Sequence, residues 1–305
     1  MTPRIILAGG SGFIGQTLAP MLIARGYDVV ILGRGAPAAD AGVTHLQWDG
    51  QTVGSWAQAL DGARAVVNLA GKNIDCRHTA ENRAEIIRSR VESVRVLGDA
   101  IGRCAKPPEV FVQASATGFY GDTGDRAVDE NAPSGSDFMA EVCHQWEGAF
   151  DALPLPGTRK VVLRIGFVLG RNGGALKVLE KLTRLFLGSA VGNGRQFISW
   201  IHIADLCGAI VAAVEKPELV GVFNATAPAP VTNTELMREL RHVLRRPWVP
   251  GVPAPFARAG AWLMGSEGDL ALLSYRCVPR RLSEQKFKFT FPVIKTALED
   301  LYRDP

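Results

Sequence analysis

Apolar residues along the chain follow two patterns that alternate. Short unbroken runs, Arg4 to Ala8, Asp28 to Leu32, Ala65 to Gly71, Val110 to Val112, Val161 to Leu169 and Gly221 to Asn224, read as strands buried on both faces. Between them, apolar positions recur every three or four residues. Ile14, Leu18, Met21 and Leu22 form one such stripe; Ile86, Ile87, Val91, Val94, Leu97 and Ile101 form another, on a helix spanning about Thr79 to Cys104. Strand and helix in alternation imply an α/β fold, a doubly wound, mostly parallel sheet with helices on both faces.

The same reading fills in the connections. Ala36 to Gly42 is a loop of small residues, Thr44 to Trp48 a third strand, and Trp56 to Leu60 a short helix. Lys106-Pro107-Pro108 stops the long helix, and a later one starts near Asp137. A helix is expected over Leu176 to Leu187, an edge strand over Gln196 to Ile203, and a helix opened by Asp205 as its N-cap and running to Val214. Thr232 and Glu235 have the spacing of a capping box for a helix reaching Leu244. Beyond Pro247 proline density rises and only short helices fit. The expected division is therefore 1–246, a nucleotide-binding domain with part of a substrate lobe at about 171–200, and 247–305, a small C-terminal lobe folded over the sheet edge.

The first strand breaks into Gly9-Gly10-Ser11-Gly12-Phe13-Ile14-Gly15 before the first helix. In a strand-to-helix turn, Gly9 permits the tight turn, Gly12 lets a diphosphate approach backbone N–H groups, and Gly15 lets the helix press on the sheet. The helix N-terminus adds unpaired amides and a partial positive charge. The second strand ends in Gly33-Arg34, where an acidic residue would accept the ribose hydroxyls of NAD. Arg34 offers a cation to the 2′-phosphate of NADP instead, or is a solvated surface side chain. The favoured cofactor is NADP(H).

Composition narrows the partners. With 47% hydrophobic and 21% charged residues in 305, and a net charge of +4 with no basic run, the chain suits a globular protein rather than a nucleic-acid binder. The most basic stretch, Arg83 to Arg95, also carries Glu85 and Glu92, the pattern of a surface helix turned partly to an anionic cofactor. No apolar run reaches membrane-spanning length, and a first strand entered directly after Met1-Thr2-Pro3 leaves no room for a leader. Cytoplasmic residence, no membrane or nucleic-acid partner, a small-molecule substrate and a monomer or homodimer are the expectations. Five cysteines without a C-x-x-C pair indicate neither a zinc site nor a disulfide framework, and no metal is expected.

Six blocks in order carry a resemblance. They are Gly9 to Gly15, Asn68-Leu69-Ala70-Gly71, Phe119-Tyr120-Gly121, Leu163-Arg164 to Gly170, Gly194-Arg195-Gln196 to Asp205, and Asn224 to Pro228. The sequence resembles the extended short-chain dehydrogenase/reductases, and more closely an atypical NAD(P)-dependent epimerase/dehydratase-like branch with a C-terminal region of the DUF1731 type. The resemblance implies a Rossmann sheet, with Gly9, Ser11, Gly12, Phe13 and Ile14 holding the diphosphate and Arg34 the 2′-phosphate. Leu69, Ala70 and Gly71 would line the adenosine side, Glu85 and Arg90 would face the cofactor from the long helix, and Val168 would sit near the nicotinamide or simply pack in the core.

The chain departs from the family where its Tyr-x-x-x-Lys should lie: that register holds Met139 and Cys143, four residues ahead of Glu147. No Tyr-x-x-x-Lys occurs between residues 121 and 160, so the usual lysine-poised phenol is missing. Ser115 occupies roughly the place of the family's active-site hydroxyl and is the candidate catalytic group, with Thr117 nearby. Tyr120 is expected to pack or cap its loop, and His202 with Asp205 to anchor a strand-to-helix turn. The glycine-rich loops Gly170 to Gly174 and Gly192 to Arg195 look like a retained substrate pocket. The function implied is an NADP(H)-dependent oxidoreductase or epimerase on a small carbonyl or sugar-like substrate; the alternative is a non-catalytic NADP(H)-binding sensor or scaffold.

Overall fold

The computed structural model describes residues 2–35, 42–265 and 267–303. Most of the expected small-residue loop at Ala36 to Gly42 falls outside them. In chain order the elements are β1 (Arg4–Ala8), α1 (Phe13–Ile23), β2 (Asp28–Gly33), β3 (Val43–Gln47), β4 (Ala65–Asn68), α2 (Ala80–Gly102) and β5 (Val110–Ala116). Then come α3 (Phe138–Asp151), β6 (Arg159–Ile165), β7 (Phe167–Leu169), α4 (Gly174–Arg184), β8 (Phe197–Ile198), β9 (Trp200–His202), α5 (Ile203–Glu215) and β10 (Gly221–Ala225). The chain ends with β11 (Val231–Thr232), α6 (Asn233–Val243), α7 (Ala254–Leu263), α8 (Arg280–Glu284) and α9 (Ile294–Tyr302).

Seven strands make one parallel sheet in the order β10-β6-β5-β4-β1-β2-β3. Both of its faces are covered, which is why its strands read as continuous apolar runs. Ile5, Leu7, Val29, Ile31, Val112 and Phe223 pack with Leu18 and Leu22 of α1 and with Leu206, Ile210 and Val214 of α5. Residues of opposite parity, Ile6, Val30, Leu32, Val66 and Phe111, pack with Val94, Leu97 and Ile101 of α2 and Trp146 and Phe150 of α3. The connection reverses direction between β1 and β4, so the crevice over their carboxyl ends is the topological switch point at which such sheets bind ligands.

Several boundaries differ from the sequence expectation. The strand expected over Ala65 to Gly71 stops at Asn68, whose side-chain oxygen takes the Ala70 amide at 3.0 Å and turns the chain out of the sheet. The strand expected over Val161 to Leu169 breaks at Gly166, where a Cβ would lie 2.4 Å from the Ser199 carbonyl oxygen. That close approach lets β7 leave the main sheet and pair with β9. The expected edge strand over Gln196 to Ile203 is two short strands, β8 paired with β11 and β9 with β7, neither in the main sheet. Its break is at Ser199, whose hydroxyl donates to the Tyr275 carbonyl at 2.7 Å. The helix expected to reach Leu187 ends at Arg184. The N-cap of α5 is His202, whose ring accepts the Ala204 amide, and not Asp205; the Asp205 carboxylate instead accepts the Thr290 and Phe291 amides at 2.8 and 2.9 Å.

Beyond residue 247 the chain runs back over the sheet. Arg281 of α8 donates to the Val222 and Val220 carbonyls at 2.6 and 2.8 Å, occupying acceptors along the edge strand β10. Thr123 and Val128 bond to 274–278, which ties this region to the loop after β5.

Candidate functional site

The turn from β1 to α1 is packed backbone against backbone. Gly9 has φ +74°, and a Cβ on it would lie 2.9 Å from Ala70, so only glycine fits both the left-handed conformation and the approach of the chain leaving β4. The Leu69 amide donates to the Ala8 carbonyl at 2.8 Å and fixes that approach. A Cβ on Gly15 would fall 2.1 Å from the Gly10 carbonyl oxygen, so α1 rests on the turn itself. Gly12 differs: a Cβ there meets nothing nearer than the Gly9 carbonyl at 3.4 Å. The one glycine without a packing need therefore stands at the N-terminus of α1, an open cradle of the kind a diphosphate fills. The Ser11 hydroxyl lies 3.5 Å from where a Gly33 Cβ would be, so the end of β2 borders the cradle, and the exposed Arg34 follows Gly33.

Phe13 and Ile14 open α1 and pack on the core below it. The Phe13 ring also explains the glycines at 170–174, because a Cβ on Gly170 or Gly173 would lie 2.6 or 2.8 Å from it. Those glycines make room for the Phe13 ring. Val168, on β7, is half-buried against the same core.

On the other side of β1, the chain leaving β4 is braced by a buried amide cluster. Asn68 donates to Ser93 at 3.1 Å and to Gln113 at 3.0 Å. Next to it, the Arg90 guanidinium packs over Gly71, its carbon 3.1 Å from where a Cβ would be, and stands 5.0 Å from the Trp146 ring. One nitrogen of Arg90 donates to the Lys72 and Ile86 carbonyls, both at 3.0 Å. Among the described residues no carboxylate pairs with it, and burial pulls its pKa down to about 10. Glu85 by contrast is ion-paired with Arg88 one turn along the surface of α2.

Past Gln113, β5 delivers Ser115 to α3. Ser115 is 3% exposed, and its hydroxyl donates to Glu147 at 2.5 Å. The same carboxylate receives Arg164 Nε at 3.0 Å and Nη2 at 2.8 Å, a bidentate pair. Arg164 also donates to the Tyr120 hydroxyl at 2.9 Å, and Tyr120 donates to Asn224 at 2.7 Å. Ser115, Glu147, Arg164, Tyr120 and Asn224 thus form one chain across β5, the turn Thr117–Tyr120 after it, α3, β6 and β10. Burial works against the Arg164 cation, but the hydrogen bonds and charge of Glu147 hold its pKa above the usual arginine value. Burial likewise pushes the Tyr120 phenol up, which makes it a poor proton donor at neutral pH.

Met139 and Cys143 both lie buried on α3. Cys143 donates to the Ala116 carbonyl at 3.7 Å; burial, then the charge of Glu147, push its thiol up to about 12. A thiol so placed carries no proton to substrate near neutral pH. Sequence reasoning passed over the polar chain as a unit. Its signal was nevertheless present: Asn68, Gln113, Ser115, Arg164 and Asn224 are polar residues near the carboxyl ends of otherwise apolar strands. The register sets Asn68 beside Gln113, Ser115 beside Arg164, and Arg164 beside Asn224.

Among the described residues no cluster of metal-ligating side chains occurs, and no helix is long and apolar enough to cross a membrane. Comparison with known proteins agrees with this architecture. Residues 5–225 match the model of the NAD dependent epimerase/dehydratase family, and residues 252–301 match a domain of unknown function, DUF1731. The chloroplastic epimerase family protein SDR39U1 homolog of Arabidopsis thaliana is 36% identical over 301 residues, 96% of this chain and 85% of that one. Epimerase family protein SDR39U1 of Bos taurus is 36% identical over 304 residues, 98% of this chain and 99% of that one. A crystal structure of human SDR39U1 (isoform 2) with NADPH superposes with a TM-score of 0.88 at 32% identity, covering 98% of this chain and 99% of that one.

Proposed function

The chain belongs to the NAD dependent epimerase/dehydratase family, and from that premise we propose that it is an NADP(H)-dependent oxidoreductase or epimerase acting on a small carbonyl or sugar-like substrate. The observation that carries the reading is the open cradle at Gly12, bordered by the end of β2 that Arg34 follows, together with the NADPH of the human structure. Gly9, Ser11, Gly12, Phe13 and Ile14 would hold the diphosphate, Arg34 the 2′-phosphate, and Leu69, Ala70 and Gly71 the floor of the crevice. When bound, the nicotinamide gives or takes a hydride. The chain's own part is to move a proton. With the Ser115 proton directed at Glu147, the serine oxygen offers lone pairs to a substrate hydroxyl, and the Glu147 carboxylate, held by Arg164, is the adjoining acceptor.

A second reading, a non-catalytic NADP(H)-binding protein, is favoured by Met139 and Cys143 in place of the acid/base pair. One series separates the two. NADP(H) should bind at least about tenfold tighter than NAD(H), and Arg34→Ala should lose most of that preference, since a charge-assisted phosphate contact is worth about 1.5–3 kcal/mol. Equal affinity for both cofactors would remove the basis of the assignment. Incubation of the loaded protein with a metabolite mixture should then change the nicotinamide absorbance, with Ser115→Ala slowing it and Cys143→Ala leaving it unaltered. Loss on the cysteine change alone places the proton donor on α3, and no turnover with tight binding favours the sensor. Residence in the cytoplasm, and a monomer or homodimer, complete the proposal.

A further inference from the structure

A carbonyl oxygen that gains negative charge as a hydride arrives is stabilised by a hydrogen-bond donor aimed at it. Around the end of β5, three groups that could supply one have their protons committed elsewhere. Ser115 donates to Glu147, Tyr120 to Asn224, and Cys143 to the Ala116 carbonyl. The Met139 thioether has no proton to give.

Tyr275 reaches the same neighbourhood from the C-terminal region. Its segment is clamped from two sides: the Tyr275 amide donates to the Phe197 carbonyl at 2.8 Å and its carbonyl accepts from the Ser199 hydroxyl at 2.7 Å, while the Arg276 amide donates to the Thr123 hydroxyl at 2.9 Å and Cys277 bridges Val128. The half-buried ring packs, with Phe119, on the small cluster of Tyr120, Val128 and Cys277. The turn that carries Phe119 and Tyr120 rests in its turn on α3, because a Cβ on Gly118 would lie 3.2 Å from Met139 Cβ and 3.8 Å from Cys143 Sγ. Among the described residues the Tyr275 hydroxyl makes no hydrogen bond, and it is not one of the buried atoms left without a partner, so it opens on solvent. Burial, then the charges of Asp137, the N-cap of α3, and of Cys143, push its pKa up, and the proton stays on the oxygen at neutral pH. We propose that Tyr275 is the hydrogen-bond donor to the substrate's carbonyl oxygen, supplied from the C-terminal region because Met139 and Cys143 supply none from α3. The proposal rests on the reaction proposed above and adds a donor to it: Ser115, with its proton on Glu147, accepts from a substrate hydroxyl, and Tyr275 donates to a substrate carbonyl.

The test uses the full chain loaded with NADPH and one mixture of small aldehydes and ketones, with NADPH oxidation followed by absorbance. Tyr275→Phe keeps the ring and its packing and removes only the donor. It should slow oxidation at least about tenfold, while NADPH affinity changes by less than about twofold and the Tm of the cofactor-free protein by about a degree or less, since the hydroxyl has no partner in the fold. A rate within about twofold of wild type overturns the proposal and leaves the proposed reaction in place. A slowed rate accompanied by an equal loss of NADPH affinity, or by a fall of several degrees in Tm, also overturns it, because the hydroxyl would then be holding the cofactor or the fold. Wild-type protein that binds NADPH and oxidises none of it overturns the proposed reaction itself, and the donor falls with it.

Discussion

Glycines of one motif do different work, and substitution separates them. Gly9 and Gly15 are demanded by the fold, since a Cβ on either collides with backbone, whereas a Cβ on Gly12 would make only an ordinary contact with the Gly9 carbonyl. Gly12→Val is therefore expected to abolish NADPH binding with a change of only a degree or so, order of magnitude, in the Tm of the cofactor-free protein. Gly9→Ala should lower that Tm by several degrees, on the order of 1–3 kcal/mol for a strained left-handed residue pressed on Ala70. Thermal scans of the two variants with and without NADPH make the comparison; a Gly12→Val protein still stabilised by NADPH would place the cofactor elsewhere. At this scale the glycine spacing was readable in the sequence, because it repeats a requirement local to one turn. What was not readable is which atoms crowd Gly9, because they come from Ala70, sixty-one residues away.

Elements rather than residues own the polar chain behind Ser115. Its members come from β5, the turn that follows it, α3, β6 and β10, and its charges are confined to Arg164 and Glu147, with 6% and 12% of their side-chain surface exposed. Removing the cation leaves the carboxylate buried with only the serine hydroxyl, which typically costs about 3–5 kcal/mol. Arg164→Leu should lose stability on that scale in urea denaturation, and adding Glu147→Gln should restore part of it. Single substitutions that each cost under about 1 kcal/mol would show that the pair is solvated and not a buried ion pair. The capping box of α6 was legible in advance, since Thr232 and Glu235 are three residues apart; both halves form, at 3.2 and 2.8 Å. The cap of α5 was misread because two polar residues near one helix start compete, and the choice fell to a partner outside it. Asp205 is claimed by the Thr290 and Phe291 amides, leaving His202 to accept from Ala204.

Across the whole molecule, the same place joins the C-terminal region to the sheet. His202 stacks on Phe291 with ring centroids 4.0 Å apart, and its Nε2 lies 3.4 Å from Asp300 without hydrogen-bond alignment. Burial lowers its pKa below 6.5, and the charges of Asp300 and Asp205 oppose that only in part. A depressed pKa means that the fold prefers the neutral ring: the stabilisation is present above the unfolded value of 6.5 and is lost as pH falls through the folded one. The capping nitrogen gives the same sign, since a protonated ring cannot accept from Ala204. The Tm should fall as pH drops from about 7 to about 5, and His202→Asn, which still caps but does not titrate, should flatten that slope. An equal slope in the variant would move the acid sensitivity to another group.

The order of strands and helices, the glycine turn and Arg34 were determined by the sequence alone, because periodicity and turn chemistry act over a few neighbouring residues. Tertiary structure decided what Ser115, Arg90, His202 and the glycines at 170–174 do. Each of these is defined by an atom on another element, and side-chain hydrogen bonds, buried charge and close backbone approach depend on distance in space rather than on separation along the chain.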